Sequence, residues 1–309
     1  MKTRVEPAPE LLSPGHTACR GCGLLVAARL ALQAAGPRVI VANATGCLEI
    51  TTSKFPQSSW NVPWIHSLFE NTAAVASGVE AALKALGRQA EARVIAQAGD
   101  GGTADIGLQS LSGMLERGHD VLYICYDNEA YMNTGIQRSS LTPLGARTST
   151  TPPGALSWGE VRTKKDMPAI AAAHGIPYVA TASIAYPPDL VKKVKRALGI
   201  RGPKYLQVHS SCPLGWGHDS SLSIRVARLA VQTGLYPLYE VINGQLTNVK
   251  RLSYRSPVAA YLKPQRRFEH LFKPGGEALL AQVQALANAN AAKYGFPPVT
   301  EGAEAEDSD

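Results

Sequence analysis

One apolar run, Val94–Ala98, ends in Gly99-Asp100-Gly101-Gly102, and a second, Val121–Tyr126, ends in Asp127-Asn128-Glu129-Ala130. Short continuous apolar runs without polar alternation read as strands of a parallel sheet buried on both faces. Asp100 and Asn128 stand 28 positions apart, the span of one strand–helix–strand unit. That spacing puts both side chains at carboxyl ends of neighbouring strands, where open α/β sheets take ligands. A carboxylate, an amide oxygen and free backbone carbonyls form a hard-oxygen set suited to Mg2+ held with phosphates. The glycines allow a sharp turn and a close approach to a diphosphate.

Two other readings fit the same residues. Gly99 to Ala104 also matches the dinucleotide pattern G-x-G-x-x-A after a strand. A Rossmann site wants an acid about 20 positions further on, which Asp127 meets only roughly. A purely structural Gly-rich turn between strand and helix is the plainest alternative.

The flanking sequence repeats the alternation. Helical patterns run over 23–36, 71–86, 105–117, 167–174, 187–199 and 222–233, and strands over 39–42, 177–181 and 204–209. Such alternation predicts an α/β fold with a mostly parallel sheet covered by helices on both faces. The helix from Asn71 is rich in small residues (Ala73, Ala74, Ala76, Gly78) that permit close packing. Long loops interrupt the series at 44–66, 127–163 and 210–220, and loops of that length are usually functional. After Tyr236 the pattern changes to two short strands around Asn243-Gly244, a Pro-rich arm and a final helix over 277–292. The expected organisation is a ligand-binding domain over 1–235, a C-terminal extension over 236–300 and an acidic tail over 301–309.

A chain of 309 residues, 45% hydrophobic, can bury a large core. The net charge of +7 hides a split: the last nine residues carry five acids and no base, leaving +12 on residues 1–300. The tail reads as solvated and disordered. A basic body suits an acidic protein partner or a phosphate-rich substrate. No nucleic-acid motif accompanies the charge, and no apolar run is long enough to span a bilayer. Without a signal-peptide pattern, the expected location is the cytoplasm.

Five cysteines bring a second chemistry. Cys125 lies inside an apolar strand and reads as a buried small hydrophobe. Cys19, Cys22, Cys47 and Cys212 all fall in loops beside element ends. A C-x-x-C with two remote cysteines fits an iron–sulphur cluster, a four-cysteine zinc site or a redox dithiol, beside the plain reading of unrelated cysteines; a dithiol would leave Cys47 and Cys212 without a role.

Five ordered motifs, Gly15-His-Thr-Ala-Cys-Arg-Gly-Cys-Gly23, Ala44-Thr-Gly-Cys-Leu-Glu49, Pro63 to Asn71, Gly99-Asp-Gly101 and Tyr131-Met-Asn-Thr-Gly135, together resemble one family. It is the thiamine diphosphate (ThDP)-binding β subunit of the 2-oxoacid:ferredoxin oxidoreductases, closest in appearance to the pyruvate enzymes, and the likeness runs from about residue 13 to 220. The resemblance implies a ThDP-binding fold and CoA-dependent oxidative decarboxylation of a 2-oxoacid, with CoA as co-substrate. It implies one [4Fe–4S] cluster on Cys19, Cys22, Cys47 and Cys212. Mg2+ would sit on Asp100, Asn128 and the Ala130 carbonyl. Thr45, Gly46, Gly99, Gly101, Gly102, Asn133 and Thr134 would line the diphosphate or substrate pocket, with Asn133 against the oxoacid.

The same resemblance implies what must come from elsewhere. An α subunit would supply the pyrimidine half-site and the activating glutamate, and another subunit the ferredoxin-like clusters leading to ferredoxin or an NAD-linked acceptor. Residues 51–60 are poorer in Tyr than in the pyruvate enzymes, which leaves branched-chain and aromatic oxoacids open. His66 reads either as a hydrogen-bond donor at the site or as structural, and Asn71 as the cap of the Ala-rich helix. Trp60 and Trp64 read as packing residues. His209 and His218 flank Cys212, but four cysteines already complete a ligand set.

Overall fold

In the computed structural model, residues 10–300 are described; the acidic tail expected at 301–309 lies outside them. The strands are β1 (Val39–Ala44), β2 (Trp64–Ser67), β3 (Arg93–Gly99), β4 (Val121–Asp127), β5 (Tyr178–Ser183), β6 (Lys204–His209), β7 (Glu240–Ile242) and β8 (Gln245–Thr247). They form one sheet in the order β2-β1-β3-β4-β6-β5-β7-β8. The first six are parallel, and β7 and β8 add an antiparallel edge. The order reverses at β1: the chain leaves it outward to β2, then returns to β3 on its other side. In open α/β sheets such a reversal opens the ligand crevice, here outside the carboxyl ends of β1 and β3.

The helices are α1 (Gly23–Ala35), α2 (Cys47–Thr52), α3 (Thr72–Ala85), α4 (Asp100–Ala104), α5 (Leu108–Glu116), α6 (Met167–Ala172), α7 (Pro187–Gly199), α8 (Pro213–Trp216), α9 (Ser223–Gln232), α10 (Val258–Leu262) and α11 (Glu277–Tyr294). Successive residues of the central strands enter opposite cores. Ile95, Leu122, Ile124 and Tyr126 pack with α1 and α7, while Val94, Ala96, Val121, Tyr123 and Cys125 pack with α3, α5 and α6. Burial on both faces is why these strands read as unbroken apolar runs. Ala73 and Ala76 are fully buried, so α3 uses its small residues to lie close to the sheet. A third core joins α9, α10 and α11 to Leu144 and Trp216. Among the described residues no helix is long and apolar enough to cross a membrane.

Three local expectations change. The helix expected over 105–117 begins only at Leu108, as α5, and a separate short helix, α4, ends before it at Ala104. At the break, the Asp105 carboxylate accepts from the Ser140 N–H and the Tyr131 hydroxyl, and Gly107 lies so close to the Gly102 carbonyl that a Cβ would overlap it. The loops at 44–66 and 210–220 are not wholly irregular, since they contain α2 with β2, and α8. Asn71 occupies the position before α3 but makes no side-chain cap; its Oδ1 is buried without a hydrogen-bond partner.

Candidate functional site

Gly99 pairs in register with Tyr126, so Asp100 and Asn128 leave adjacent strand ends side by side. There the loops after β1, β3 and β4 enclose a cleft of about 750 Å3. Thr45, Gly46, Gly99, Asp100, Gly101, Gly102, Asn128, Ala130, Asn133 and Thr134, all expected from sequence, line it, together with Cys47, Phe69, Tyr131 and Met132. The rim segment is a tight turn: the Tyr131 N–H donates to the Gln137 carbonyl (2.9 Å) and the Ile136 N–H to the Tyr131 carbonyl (2.9 Å). Asn133 is exposed on that rim.

The floor is crowded with oxygen. One terminal atom of the Asn128 amide lies 2.8 Å from Asp100 Oδ1 and 2.9 Å from the Ala130 carbonyl. As an NH2 it bridges the two; turned over, its oxygen joins theirs in a three-oxygen face of the kind Mg2+ takes. Asp100 is 1% exposed, and burial followed by the nearby Asp127 charge pushes its carboxyl well above the ordinary range. Its Oδ2 accepts from the Ser139 hydroxyl. A divalent cation against this face would restore the ionised carboxylate. A Cβ on Gly101 would overlap the Tyr131 ring, so only glycine leaves both ring and backbone in place. The residues present therefore fit a Mg2+–diphosphate pair.

Cys47 lines this cleft, and the Gly23 N–H donates to the Ser211 carbonyl (3.0 Å), which brings the Cys22 and Cys212 segments side by side. Cys47, at the start of α2, is pushed up to about 12 by burial and then by Cys212, Cys22 and Cys19. Cys212 is pushed up to about 11 by burial, with Cys22 and Cys19 adding to it, and Cys22 is raised by burial with a smaller contribution from Cys19. Cys47 and Cys212 thus each feel thiols that come from other loops. Among the described residues no three His, Cys, Asp or Glu side chains close around a point that would suit a single metal ion. A cubane cluster is much larger than one ion, and thiols that resist ionisation because their thiolates would be buried and repel one another gain from cationic iron. Cys125 is fully buried, as expected.

His66 Nε2 lies 2.9 Å from Thr45 Oγ1 and its Nδ1 3.8 Å from Glu49, so it contacts a cleft-lining side chain. Trp60 and Trp64 stack at 5.6 Å, and the Trp60 indole donates to Thr52 Oγ1 (2.8 Å), a packing role. His209 is buried between Trp216 and Tyr236, and its Nε2 lies 3.6 Å from Glu129 Oε1, beyond ordinary hydrogen-bond length.

Sequence reasoning missed a buried charge network under the Asn128 loop. Lys164 Nζ donates to Asp127 Oδ2 and Glu129 Oε1, each at 2.8 Å, and Arg267 Nη2 donates to Glu129 Oε2 at 2.5 Å. Burial alone would raise Glu129; Lys164 and Arg267, with His209, overcome it and hold the carboxyl well below the usual range. The partners lie 35 to 138 positions apart, and no local pattern announces them.

A glycine-rich cleft at the strand-order reversal, floored by Asp100 and Asn128 just past the ends of neighbouring strands, has the form of a thiamine diphosphate enzyme's binding site. Residues 44–208 match the family of the thiamine pyrophosphate enzyme C-terminal TPP-binding domain, more than half of the chain. The chain is 55% identical over 90% of its length, and 95% of the relative's, to pyruvate synthase subunit PorB of Methanosarcina barkeri. It is 57% identical to PorB of Methanothermobacter marburgensis (86% of this chain, 92% of the relative). Ketoisovalerate oxidoreductase subunit VorB of Pyrococcus abyssi is 49% identical (88% and 90%). The chain belongs to the β-subunit family of the 2-oxoacid:ferredoxin oxidoreductases. A solved 2-oxoglutarate:ferredoxin oxidoreductase from Magnetococcus marinus, with 2-oxoglutarate, coenzyme A and succinyl-CoA bound, shares the fold. It aligns at TM-score 0.56 and 22% identity over 74% of this chain and 82% of that one.

Proposed function

We propose that this subunit holds the Mg2+–diphosphate half of a CoA-dependent 2-oxoacid oxidoreductase site and a [4Fe–4S] cluster directly beside it. When bound, ThDP supplies carbanion stabilisation at the carbonyl carbon of the oxoacid. Asp100 and Asn128 hold Mg2+ through side-chain oxygens and Ala130 through its carbonyl. Gly99, Gly101 and Gly102 let the backbone approach the phosphates, with Thr45, Gly46 and Thr134 around them. Asn133, on the rim, orients the oxoacid. Cys19, Cys22, Cys47 and Cys212 would hold the cluster, which would supply a one-electron acceptor beside the cofactor on the way to ferredoxin or an NAD-linked acceptor in partner subunits.

One observation carries this reading: the Thr45–Cys47 segment lines the cleft and also carries one of the four neighbouring thiols. Asp100 is the sole acid among the described residues lining the cleft. An activating glutamate therefore comes from an α subunit, in keeping with relatives that are named as subunits. Pyruvate is the first substrate expected, from the PorB relatives; the VorB relatives keep 2-ketoisovalerate in the panel. A cytoplasmic location suits oxygen-sensitive chemistry of this kind.

The test is anaerobic co-purification of the complex, followed by CoA-dependent reduction of a viologen dye across 2-oxoacids. Reduction with pyruvate, lost without CoA, is the expected result. Bound ThDP and iron with no reduction by any oxoacid would overturn the proposal.

A further inference from the structure

Glu129 stands between the two floor residues Asn128 and Ala130, and it adopts φ +70, the left-handed region that non-glycine residues avoid. The polar groups on the far side of this segment are engaged. The Glu129 N–H donates to Asp127 Oδ1 (3.2 Å), and the Glu129 carbonyl accepts from the Thr142 hydroxyl (2.8 Å). The Asn128 carbonyl accepts from the Trp216 indole N–H (2.8 Å). The Glu129 carboxylate, 4% exposed, is gripped by Lys164 and Arg267. On the cleft side the Asn128 amide stands between Asp100 Oδ1 and the Ala130 carbonyl.

Arg267 comes from the region after residue 236, for which the sequence offered no role. Its Nε donates to Gln265 Oε1 (2.9 Å), its Nη2 reaches the Tyr261 hydroxyl (3.2 Å), and its guanidinium lies 4.0 Å from the centroid of Trp216. Trp216 is itself the donor to the Asn128 carbonyl. The arginine is therefore fixed on one side by its own segment, and on the other it touches both grips on the loop.

We propose that Arg267 is a positioning residue for the cofactor floor: acting through Glu129, it holds residue 129 left-handed and so sets the Asn128 and Ala130 oxygens against Asp100. The C-terminal segment thereby tunes Mg2+-dependent diphosphate binding without touching the cleft. This rests on the Mg2+ reading given above, and its test separates the two.

The experiment uses the complete anaerobic complex without oxoacid. ThDP binding is followed by calorimetry as Mg2+ is titrated, in wild type, Arg267→Met, Arg267→Lys, Glu129→Gly and the double variant Glu129→Gly/Arg267→Met. Arg267→Met should raise the half-saturating Mg2+ concentration by about tenfold, comparable to loss of an outer-shell partner at a metal site, and Arg267→Lys should recover part of it. Glycine accepts the left-handed conformation unaided, so Arg267→Met should add less than about twofold once Glu129→Gly is in place. A purely structural arginine would lower the melting temperature and leave the Mg2+ half-saturation unchanged, which overturns the proposal. Equal shifts with and without the Glu129→Gly substitution overturn it as well. If Arg267→Met does not assemble, the Arg267→Lys shift decides in its place. Mg2+-independent ThDP binding in wild type would instead sink the Mg2+ reading itself.

Discussion

Lys164 is the cation whose removal should be felt most strongly. It bridges Asp127 and Glu129, 0% and 4% exposed, and its own side chain is 24% exposed. With Arg267 the group is neutral, two carboxylates against two cations. Lys164→Met leaves one buried carboxylate charge uncompensated, a loss of about 3–5 kcal/mol for a buried pair broken from one side. For a chain of this size that lowers the melting temperature by roughly 6 °C or more.

The pH dependence has a definite sign. In wild type Glu129 lies well below its ordinary value when folded. Its contribution is complete above the unfolded value and is lost as pH falls through the folded one. In the variant Glu129 loses a cation that holds it low, so its folded value climbs and protonation relieves the strain. The wild-type advantage should be complete near pH 8 and shrink as pH falls into and below the ordinary carboxylate range. Lys164→Met/Asp127→Asn restores neutrality and should recover most of the loss. The assay is thermal unfolding of the complex followed by near-ultraviolet circular dichroism at several pH values. A variant within a degree of wild type at pH 8, or a deficit that ignores pH and the second substitution, would refute the reasoning.

Asp100→Asn should raise the Mg2+ requirement for ThDP binding at least tenfold or so, since a direct ligand outweighs an outer-shell one; calorimetry reads it, and an unchanged requirement places the metal elsewhere. Gly101→Ala drives a methyl into the Tyr131 ring and should break that residue's hydrogen bond to Asp105. Diphosphate affinity should fall about tenfold with a destabilisation of roughly 1–3 kcal/mol, measured by ThDP titration and thermal unfolding.

The parts of this fold legible in the sequence are those written locally. Strands β3 and β4 declare themselves because both faces are buried, and Gly99-Asp100-Gly101 and Asn128 follow them directly. Cys47 could be placed beside the cleft because Thr45 and Gly46 adjoin it. The hidden parts depend on tertiary contact. Ser139 reaches Asp100 across 39 positions, and Arg267 reaches Glu129 across 138, neither within a periodic pattern. The late start of the helix expected over 105–117 is hidden for the same reason: its apolar spacing is helical, but Asp105 is drawn to Ser140 and Tyr131 by contacts that arise only in the folded chain. Asn71 has the chemistry of a cap, yet its side chain makes no such bond.

The central claim is that one segment, Thr45–Cys47, serves both a diphosphate site and an iron–sulphur cluster. Iron, acid-labile sulphide and ThDP measured on the same anaerobic complex test it most directly, with Cys47→Ser and Cys125→Ser compared against wild type. The account predicts that Cys47→Ser loses about four iron atoms per copy of this chain while still binding ThDP with Mg2+, and that Cys125→Ser keeps its iron. Full iron retained in Cys47→Ser, or stoichiometric zinc in place of iron in wild type, would contradict it.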